Sequence, residues 1–279
     1  MSRVVVVGDL AVDVLVTPSA PAAPGADVPA RIRTVAGGAG ANTAAWLAHL
    51  GSAVTLVARV GDDAAGRSAA ADLPGVDLAL TVDPDEPTAT VVVLLDGDRT
   101  MLSDRGAAAR LCPADLPPLD GRGHLHLSGY VLLDPSSRPA GLAALAAARD
   151  AGWSTSVDPQ AAPALTPEFP GWVAGVDLLL PNADELAALG DGVHGAVGAV
   201  AATAGAEGAT WTDARGTWSV PAPVVEVRDP TGAGDAFDAG LLRAWLAGAG
   251  PRDALRAGCE AGAAAVQHPG ARPPRPFAR

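Results

Sequence analysis

The strongest constraint on the fold is a run of four valines, Val4–Val7, close to the start of the chain. An uninterrupted β-branched run is typical of a strand that is buried on both faces of a parallel sheet. Further apolar runs are expected to form strands at residues 54–60, 124–127, 155–157 and 178–180. Segments of helical character alternate with them, at residues 40–50, 62–73, 140–150, 182–189, 234–246 and 253–266. The alternation predicts an α/β fold, with a mostly parallel central sheet and helices on both of its faces.

Two segments do not follow this alternation and predict a second, smaller sheet. Residues 12–35 are rich in Pro, Ala and β-branched residues and show no helical period. Residues 88–105 contain two expected strands, Ala89–Leu95 and Arg99–Leu102, joined by the turn sequence Asp96-Gly97-Asp98. We expect the two segments to pair into a small β-sheet that covers the main domain as a lid.

Length and composition favour one domain over residues 1–279. With 49% hydrophobic residues, a chain of 279 residues can bury a sizeable core without a disulfide or a structural metal. Both cysteines, Cys112 and Cys259, are therefore expected to be free thiols in a reducing cytoplasm. The net charge of −12 argues against a nucleic-acid partner, and no apolar run reaches membrane-spanning length.

The chain contains no lysine, since all 19 of its Lys or Arg residues are arginine. This excludes a Walker A loop with its phosphate-binding lysine, the strand lysine of protein kinases, and Schiff-base chemistry. If the protein handles phosphate groups, backbone amides, arginines and a metal ion must bind them.

The segment Asp229-Pro-Thr-Gly-Ala-Gly-Asp235 is the main candidate for such chemistry. We expect a strand over residues 224–227 before it and a helix from Gly234 after it. Glycines at such a junction let backbone amides approach an anion, and the first N–H groups of the helix point towards it. Asp235 lies in the first helical turn, where the helix dipole is expected to keep it ionised and able to accept a proton from a substrate hydroxyl. The alternative is a helix start with an ordinary capping aspartate.

This segment, extended to Phe237, resembles the C-terminal signature of the ribokinase-like carbohydrate kinases, or PfkB family. The segment Gly37-Gly38-Ala-Gly40-Ala-Asn42, together with Gly61-Asp-Asp-Ala-Ala-Gly66, is similar to the N-terminal signature of that family. Both signatures occur in the family's order, and the resemblance extends over almost the whole chain, including the lid segments. It implies a ribokinase-like fold and an ATP-dependent kinase.

The resemblance also implies roles for individual residues. Asp235 matches the catalytic base, and three residues match the anion hole: Gly232, Ala233 and Gly234. The positions that bind sugar hydroxyls in the family are matched by Asp13, Gly37, Gly38 and Asn42. Without the resemblance, Asp13 is interpreted as a turn or strand-end residue and Asn42 as a residue of a helix N-terminus.

Nucleotide and metal binding are implied by a second group of residues. Asn182 and Glu185 resemble an Asn-x-x-Glu element that organises Mg²⁺ and phosphate through water, although the same spacing is typical of a capping box. Thr203 and Gly205 match a turn that contacts the nucleotide, and their alternative is a plain strand-end turn. Cys259 falls near the expected adenine. Asp229, with residues 269–271, resembles a monovalent-cation site, which would bind K⁺.

Departures from the family pattern bear on the acceptor. Ala39 and Ala11 stand where ribokinases have lysine and asparagine, which argues against ribose. Arg105, after the lid hairpin, is a candidate for binding a substrate carboxylate or phosphate, and its alternative is a solvated loop arginine. Asp238 is acidic where relatives have a neutral residue, and the sequence offers no account of it.

Two other motif matches are rejected because the structure predicted around them does not suit the motif. The run Gly190-Asp-Gly-Val-His-Gly195 fits a dinucleotide-binding pattern, but it follows a helix and not a strand. His124 and His126 lie on one side of a strand and could bind a metal, but no third ligand is nearby, which favours a structural role.

The favoured function is therefore transfer of a phosphoryl group from ATP to a sugar-like hydroxyl. A nucleoside kinase of the same fold is the first alternative, and an apolar or aromatic wall beside Asn42 would favour it. The second is a catalytically silent regulator that binds sugar or nucleotide. The resemblance also implies a homodimer formed through the lid strands, whose exposed sheet edge makes such pairing plausible.

Overall fold

A nine-stranded sheet forms the centre of the protein in a computed structural model that describes residues 3–21, 25, 27–96 and 98–274. Its strand order is β13-β12-β11-β10-β9-β8-β1-β4-β5. The bounds of these strands are β1 Arg3–Val7, β4 Val54–Gly61, β5 Val76–Asp83, β8 Gly123–Ser128, β9 Ser154–Asp158, β10 Leu178–Leu179, β11 Ala199–Thr203, β12 Ala209–Asp213 and β13 Gly216–Val220. The strands from β11 to β5 in this order pair in parallel, and β12 and β13 add an antiparallel hairpin. The predicted mostly parallel sheet is confirmed.

Helices cover both faces of this sheet. Their bounds are α1 Ala39–His49, α2 Ala64–Ala71, α3 Tyr130–Leu133, α4 Arg138–Asp150, α5 Phe169–Trp172, α6 Ala183–Leu189, α7 Ala233–Leu246 and α8 Pro251–Ala265. Val4 and Val6 pack into one buried cluster, with side chains of α1, α7 and α8. Val5 and Val7 pack into the other, with side chains of α4 and α5. The valine run of β1 is thus buried on both faces, as its sequence predicts.

The second sheet has the strand order β3-β2-β6-β7, with bounds β2 Ala11–Pro18, β3 Ala30–Gly37, β6 Ala89–Asp96 and β7 Asp98–Asp104. β2 pairs with β3 in antiparallel and with β6 in parallel orientation, and β6 and β7 form the predicted hairpin. The two distant lid segments therefore do form one sheet, here called the lid sheet. The turn residue Gly97 lies outside the described residues.

One predicted strand is wrong. Residues 221–228 pair with no strand of the described chain, and both valines at the ends of the expected strand, Val224 and Val227, are exposed. Pro221 and Pro223 remove two of the N–H groups that a ladder needs, so a β-branched run does not suffice here. α7 is consequently preceded by an extended loop and not by a strand.

The remaining structural predictions concern thiols and membrane helices. Cys112 and Cys259 are free cysteines, as expected. Within the described residues, none of the helices has the length and apolar character needed to span a membrane.

Candidate active site

Two clefts meet at Asp235. The first, here called the lid cleft, has a volume of about 200 Å³ and lies between the lid sheet and the main domain. Its lining includes Asp9, Ala11, Asp13, Gly38, Ala39, Asn42, Ala89, Val91, Val93, Met101, Arg105, Tyr130 and Asp235. The second, here called the acidic cleft, has a volume of about 490 Å³ and is lined by residues that include Asp158, Asn182, Glu185, Thr203, Gly232, Gly234, Asp235 and Asp238.

Asp235 lies in the first turn of α7 and is buried. Asn42 donates a hydrogen bond from Nδ2 to Asp235 Oδ2 at 3.0 Å. Burial raises the pKa of Asp235 to about 7, with further contributions from the nearby carboxylates of Asp9 and Asp13, while the bond from Asn42 acts in the opposite direction. Desolvation thus acts against the ionised form that the helix dipole was expected to favour.

The N-terminus of α1 places Asn42 beside Asp235. Gly38 precedes the helix with φ of +93°, and a Cβ there would lie 2.6 Å from the Asp9 carbonyl oxygen. The Asp9 carboxylate accepts a hydrogen bond from Gly40 N at 3.3 Å, and its carbonyl accepts one from Ala41 N at 3.1 Å. Asp9, which the sequence reasoning did not single out, thus holds the start of α1 against the end of β1.

Asp13 lies on β2 in the lid sheet and lines the lid cleft. β2 places it opposite Val35 of β3. A Cβ at Gly37 would collide with the Asp13 carboxylate, so a side chain there would displace that carboxylate from its position. The structure therefore brings four predicted substrate-binding positions together: Asp13, Gly37, Gly38 and Asn42.

Arg105 also lines the lid cleft, whereas its alternative interpretation was a solvated loop arginine. Only 23% of its side chain is exposed, and its Nε lies 3.6 Å from the Asp134 carboxylate. Its guanidinium also lies over the Tyr130 ring, at 5.4 Å from the centroid. Arg105 Nε and Nη2 are buried without a hydrogen-bond partner among the described residues. Buried, unpaired N–H groups are costly, which favours an acceptor from a ligand.

The predicted anion hole forms the N-terminus of α7. Gly232 has φ of +76° and a Cβ there would lie 2.5 Å from Ala271 Cα, so both conformation and space require glycine. Ala233 N is partly engaged, since it donates to the Pro230 carbonyl at 3.3 Å. A Cβ at Gly234 would meet nothing within 4 Å, so the backbone there borders open space. The first N–H groups of a helix lack intrahelical acceptors and can bind an anion there.

Asn182 and Glu185 form the capping box that was the alternative to a metal role. Glu185 N donates to Asn182 Oδ1 at 2.9 Å, and Asn182 N donates to Glu185 Oε2 at 2.8 Å. Asn182 Nδ2 donates to Glu185 Oε1 at 2.7 Å. Both residues line the acidic cleft, so the capping geometry and a position beside a ligand coexist.

Two buried carboxylates of the acidic cleft have no role in the sequence reasoning. Asp158 is the last residue of β9, and Asp238 lies about one helical turn after Asp235 on α7. Burial, together with the charges of neighbouring carboxylates, raises the pKa of both groups well above the ordinary value. Neither has a sequence motif of its own, and only Asp238 was noticed, as an unexplained acidic residue.

The residues implied in nucleotide binding do not all line the clefts around Asp235. Thr203 lines the acidic cleft and a neighbouring cleft of about 460 Å³ beside α6. Gly205 and Cys259 line neither of these clefts, nor the lid cleft. Cys259 is buried in the core on α8, where burial raises its thiol pKa. Neither residue thus contributes to the lining of the clefts that meet at Asp235.

Asp229 connects two loops near the anion hole. Its Oδ1 accepts from Thr231 N at 2.9 Å, and its Oδ2 accepts from Gly270 N at 2.8 Å. The following residue, Ala271, accepts a hydrogen bond from Trp46 of α1 at 2.9 Å. These contacts tie the loop before α7 to the residues 269–271 that the resemblance implied in cation binding.

The two histidines of β8 are structural. His124 contacts Ser154 and Ser156 at 2.9 and 2.8 Å, and His126 contacts Ser156 at 2.8 Å. In the described part of the chain, no group of three metal-ligating side chains could hold an ion by itself. The serine contacts of both rings support the structural interpretation of this pair.

Comparisons with known proteins identify the family of the chain. The model of the pfkB family carbohydrate kinases matches residues 1–278. Aminoimidazole riboside kinase of Salmonella typhimurium is 34% identical over 230 residues, covering 74% of this chain and 72% of that protein. A fructokinase of Klebsiella pneumoniae is 34% identical over 282 residues, covering 91% of this chain and 88% of that protein.

A solved structure extends the similarity to three dimensions. Aminoimidazole riboside kinase from Salmonella enterica, complexed with aminoimidazole riboside and an ATP analog, superimposes with a TM-score of 0.79 at 29% identity. The match covers 96% of this chain and 94% of that chain. On the family match, the relatives and the shared fold, the chain belongs to the pfkB family of carbohydrate kinases, phosphotransferases with an alcohol group as acceptor.

Proposed function

We propose that the protein transfers the γ-phosphoryl group of ATP to a hydroxyl of a sugar or sugar derivative bound in the lid cleft, with Asp235 as the base. The observation that carries the proposal is the position of Asp235 between the two clefts. One cleft presents groups that suit hydroxyls, and the other includes the helix N-terminus that suits phosphate.

In the proposed reaction, Asp235 accepts the proton of the acceptor hydroxyl while that oxygen bonds to phosphorus and the bond to ADP breaks. The carboxylate of Asp13 accepts hydrogen bonds from further hydroxyls of the acceptor, and the amide of Asn42 both donates and accepts hydrogen bonds. The amides of Gly232, Ala233 and Gly234 stabilise negative charge on the transferred group without any lysine.

A metal ion fits the donors of the acidic cleft. Carboxylate and amide oxygens are what Mg²⁺ prefers, and a nucleotide-bound Mg²⁺ would neutralise phosphate charge during transfer. Asn182 and Glu185 would hold it through water. We further propose Thr203, Gly205 and Cys259 as nucleotide contacts and Asp229 as part of a K⁺ site.

The acceptor class follows from the walls of the lid cleft. Ala11 and Ala39 contribute small side chains, and a volume of about 200 Å³ suits a single sugar ring. A nucleoside is the second candidate, because Val91, Val93 and Met101 form an apolar wall on the lid side that a base could contact. Arg105, whose Nη2 has no hydrogen-bond acceptor among the described residues, favours an acceptor that carries a carboxylate or a phosphate.

The central experiment is an ADP-release screen across sugars, sugar acids, sugar phosphates and nucleosides. Asp235→Asn should retain ATP and acceptor binding but lower turnover by about a hundredfold or more. Near-normal turnover in that variant would refute Asp235 as the base. If no compound stimulates ADP release, the silent regulator becomes the better explanation.

For the whole molecule, we propose one cytoplasmic kinase domain over residues 1–279, with lid segments at about 12–35 and 88–105. We also propose a homodimer through the lid strands. Exposed apolar side chains on that sheet support it, notably Ile32 and Leu102, each 62% exposed. Light scattering at several concentrations tests it, and a monomer throughout would refute the dimer.

A further inference from the structure

A loop that follows α8 contacts both signatures of the family. Gly270 N donates to Asp229 in the segment before α7, and Ala271 lies directly against Gly232 of the anion hole. The next residue, Arg272, extends in the other direction, to the end of β3 and to the end of α2. One short stretch of chain therefore touches both the proposed phosphate site and a strand that borders the proposed acceptor site.

Arg272 is a largely buried cation, since only 10% of its side chain is exposed. Its Nη2 donates to the Gly37 carbonyl at 3.2 Å, and its Nη1 donates to the Asp72 carbonyl at 3.0 Å. Nη1 also pairs with the Asp72 carboxylate at 3.2 Å, while Nε is buried without an acceptor among the described residues. A buried ion pair adds little stability over apolar side chains of similar size, so this incompletely bonded guanidinium indicates a role beyond stability.

Gly37 connects the lid sheet to α1. It is the last residue of β3, opposite Ala11 of β2, and Gly38 follows it with φ of +93°. Two consecutive glycines place little restriction on the peptide group between them, so contacts from elsewhere must fix its orientation. The hydrogen bond from Arg272 to the Gly37 carbonyl is such a contact.

Two side chains that line the lid cleft depend on the orientation of this peptide group. The Asp13 carboxylate lies against Gly37, where a Cβ would collide with it. Asn42 N donates to the Gly38 carbonyl at 2.9 Å, in the first turn of α1. Burial lowers the pKa of Arg272 to about 10 and the Asp13 charge acts in the opposite direction, so the guanidinium and this carboxylate attract each other. A displacement of the peptide group would therefore move both side chains.

We propose that Arg272 is a positioning residue for the acceptor. By fixing the Gly37 carbonyl it holds Asp13 and Asn42 at the spacing that the hydroxyl groups of the acceptor require. Arg272 does not itself line the lid cleft, so it acts through these residues and not by contact with the acceptor. The inference rests on the proposed function, because it takes the lid cleft as the place where the acceptor binds.

The test compares the steady-state kinetics of Arg272→Met with those of the original protein, using the compound that gives the highest kcat/KM in the ADP-release screen. Methionine keeps an unbranched apolar side chain but has no N–H donor. We expect KM for the acceptor to rise about tenfold, kcat to fall less than about threefold, and KM for ATP to stay unchanged. A general loosening of the site would instead lower kcat and affect both substrates.

Asp72→Ala is the matched control. It removes the carboxylate partner of Arg272 and leaves the hydrogen bonds of Arg272 to the carbonyls of Asp72 and Gly37 in place. This variant should lower the midpoint of thermal unfolding but keep KM for the acceptor within about twofold of the original value. If Asp72→Ala and Arg272→Met raise KM for the acceptor equally, Arg272 only stabilises this region and the inference is wrong.

Arg272→Lys keeps the test available if thermal unfolding shows that Arg272→Met is not folded. Its ammonium group retains the charge but lacks the planar fork that reaches two carbonyls, so we expect KM for the acceptor to rise about threefold. An unchanged KM for the acceptor in every folded variant of Arg272 would overturn the inference and leave the proposed function intact. If no compound stimulates ADP release by the original protein, the proposed function fails and the inference fails with it.

Discussion

Asn42 Nδ2 lies 3.0 Å from Asp235 Oδ2, although the two residues are 193 positions apart in the sequence. The bond joins the N-terminal turns of α1 and α7, which carry the two signatures of the family. It stabilises the ionised form of Asp235 and so opposes burial, which raises the pKa of this carboxyl group to about 7 even with the bond in place. The pKa of the proposed base is therefore lowered by Asn42, which also lines the lid cleft where we propose that the acceptor binds.

This relationship predicts the pH dependence of the reaction. The base acts when ionised, so kcat/KM for the acceptor should be lost as the pH falls through about 7. Asn42→Ala removes the donor that lowers the pKa of Asp235, and the acid limb should move to higher pH by up to about one unit. The pH profile of kcat/KM in both proteins measures the shift. A limb at unchanged pH would contradict the role of Asn42 in setting this pKa.

Two glycines of the anion hole should respond differently to alanine. Gly232→Ala places a side chain at φ of +76° and against Ala271, so it should cost about 1–3 kcal/mol of unfolding free energy and reduce activity. At Gly234 a Cβ meets nothing within 4 Å, so Gly234→Ala should leave stability unchanged or slightly higher. Urea unfolding and turnover separate the two effects. Equal losses of stability would show that the strain at Gly232 is not what requires glycine there.

Arg105 should determine how well charged acceptors are used. A hydrogen bond to a charged group is worth about 1.5–3 kcal/mol, so Arg105→Gln should lower kcat/KM about tenfold to a hundredfold for a sugar acid or phosphate. For a neutral sugar the loss should stay within a few fold. Arg67→Gln is the control, because Arg67 is exposed and pairs with Asp62. Losses of the same size for both kinds of acceptor would rule out recognition of an anionic substituent.

The buried histidines predict how stability depends on pH. Burial lowers the pKa of His124 to about 3 and of His126 to about 4, while an unfolded histidine titrates near 6.5. Between these values the unfolded chain binds more protons, so the unfolding free energy falls as pH falls from about 6.5 to about 4. By pH 5 the two residues together should cost on the order of 2–4 kcal/mol.

Urea unfolding at pH 7.5 and pH 5 checks this expectation against a variant with both histidines replaced by glutamine. That variant should be less stable at pH 7.5, because its contacts with Ser154 and Ser156 change. Between pH 7.5 and pH 5 the variant should lose less unfolding free energy than the original protein. The buried carboxyl groups titrate in both proteins, so their contribution cancels in this comparison. The same loss in both would exclude the histidines as the cause.

The sequence by itself predicted the fold class and five of the nine strands of the main sheet, but not β5 or β11 to β13. Val4–Val7 predicted a strand buried on both faces, and the structure places alternate valines in two different clusters. The two irregular segments predicted the lid sheet. The strand expected at 224–227 was wrong, because β-branched residues form a strand only where a neighbouring chain accepts their hydrogen bonds. The local sequence pattern shows which secondary structure a segment is able to form. Pairing with another strand in the folded chain then determines whether a strand forms.

The residues of the candidate site also fall into two groups, those that the sequence predicts and those that only the fold identifies. Residues within a signature, such as Asn42 and Asp235, were predicted from their motifs. Asp9 and Asp158 belong to no motif and were identified only through contacts between distant segments. The ionisation of Asp235 was also beyond the sequence, because a pKa depends on burial and on neighbouring charges that the folded chain alone brings together. Local sequence determined which chemical groups are available, and the tertiary structure determined their protonation and their partners.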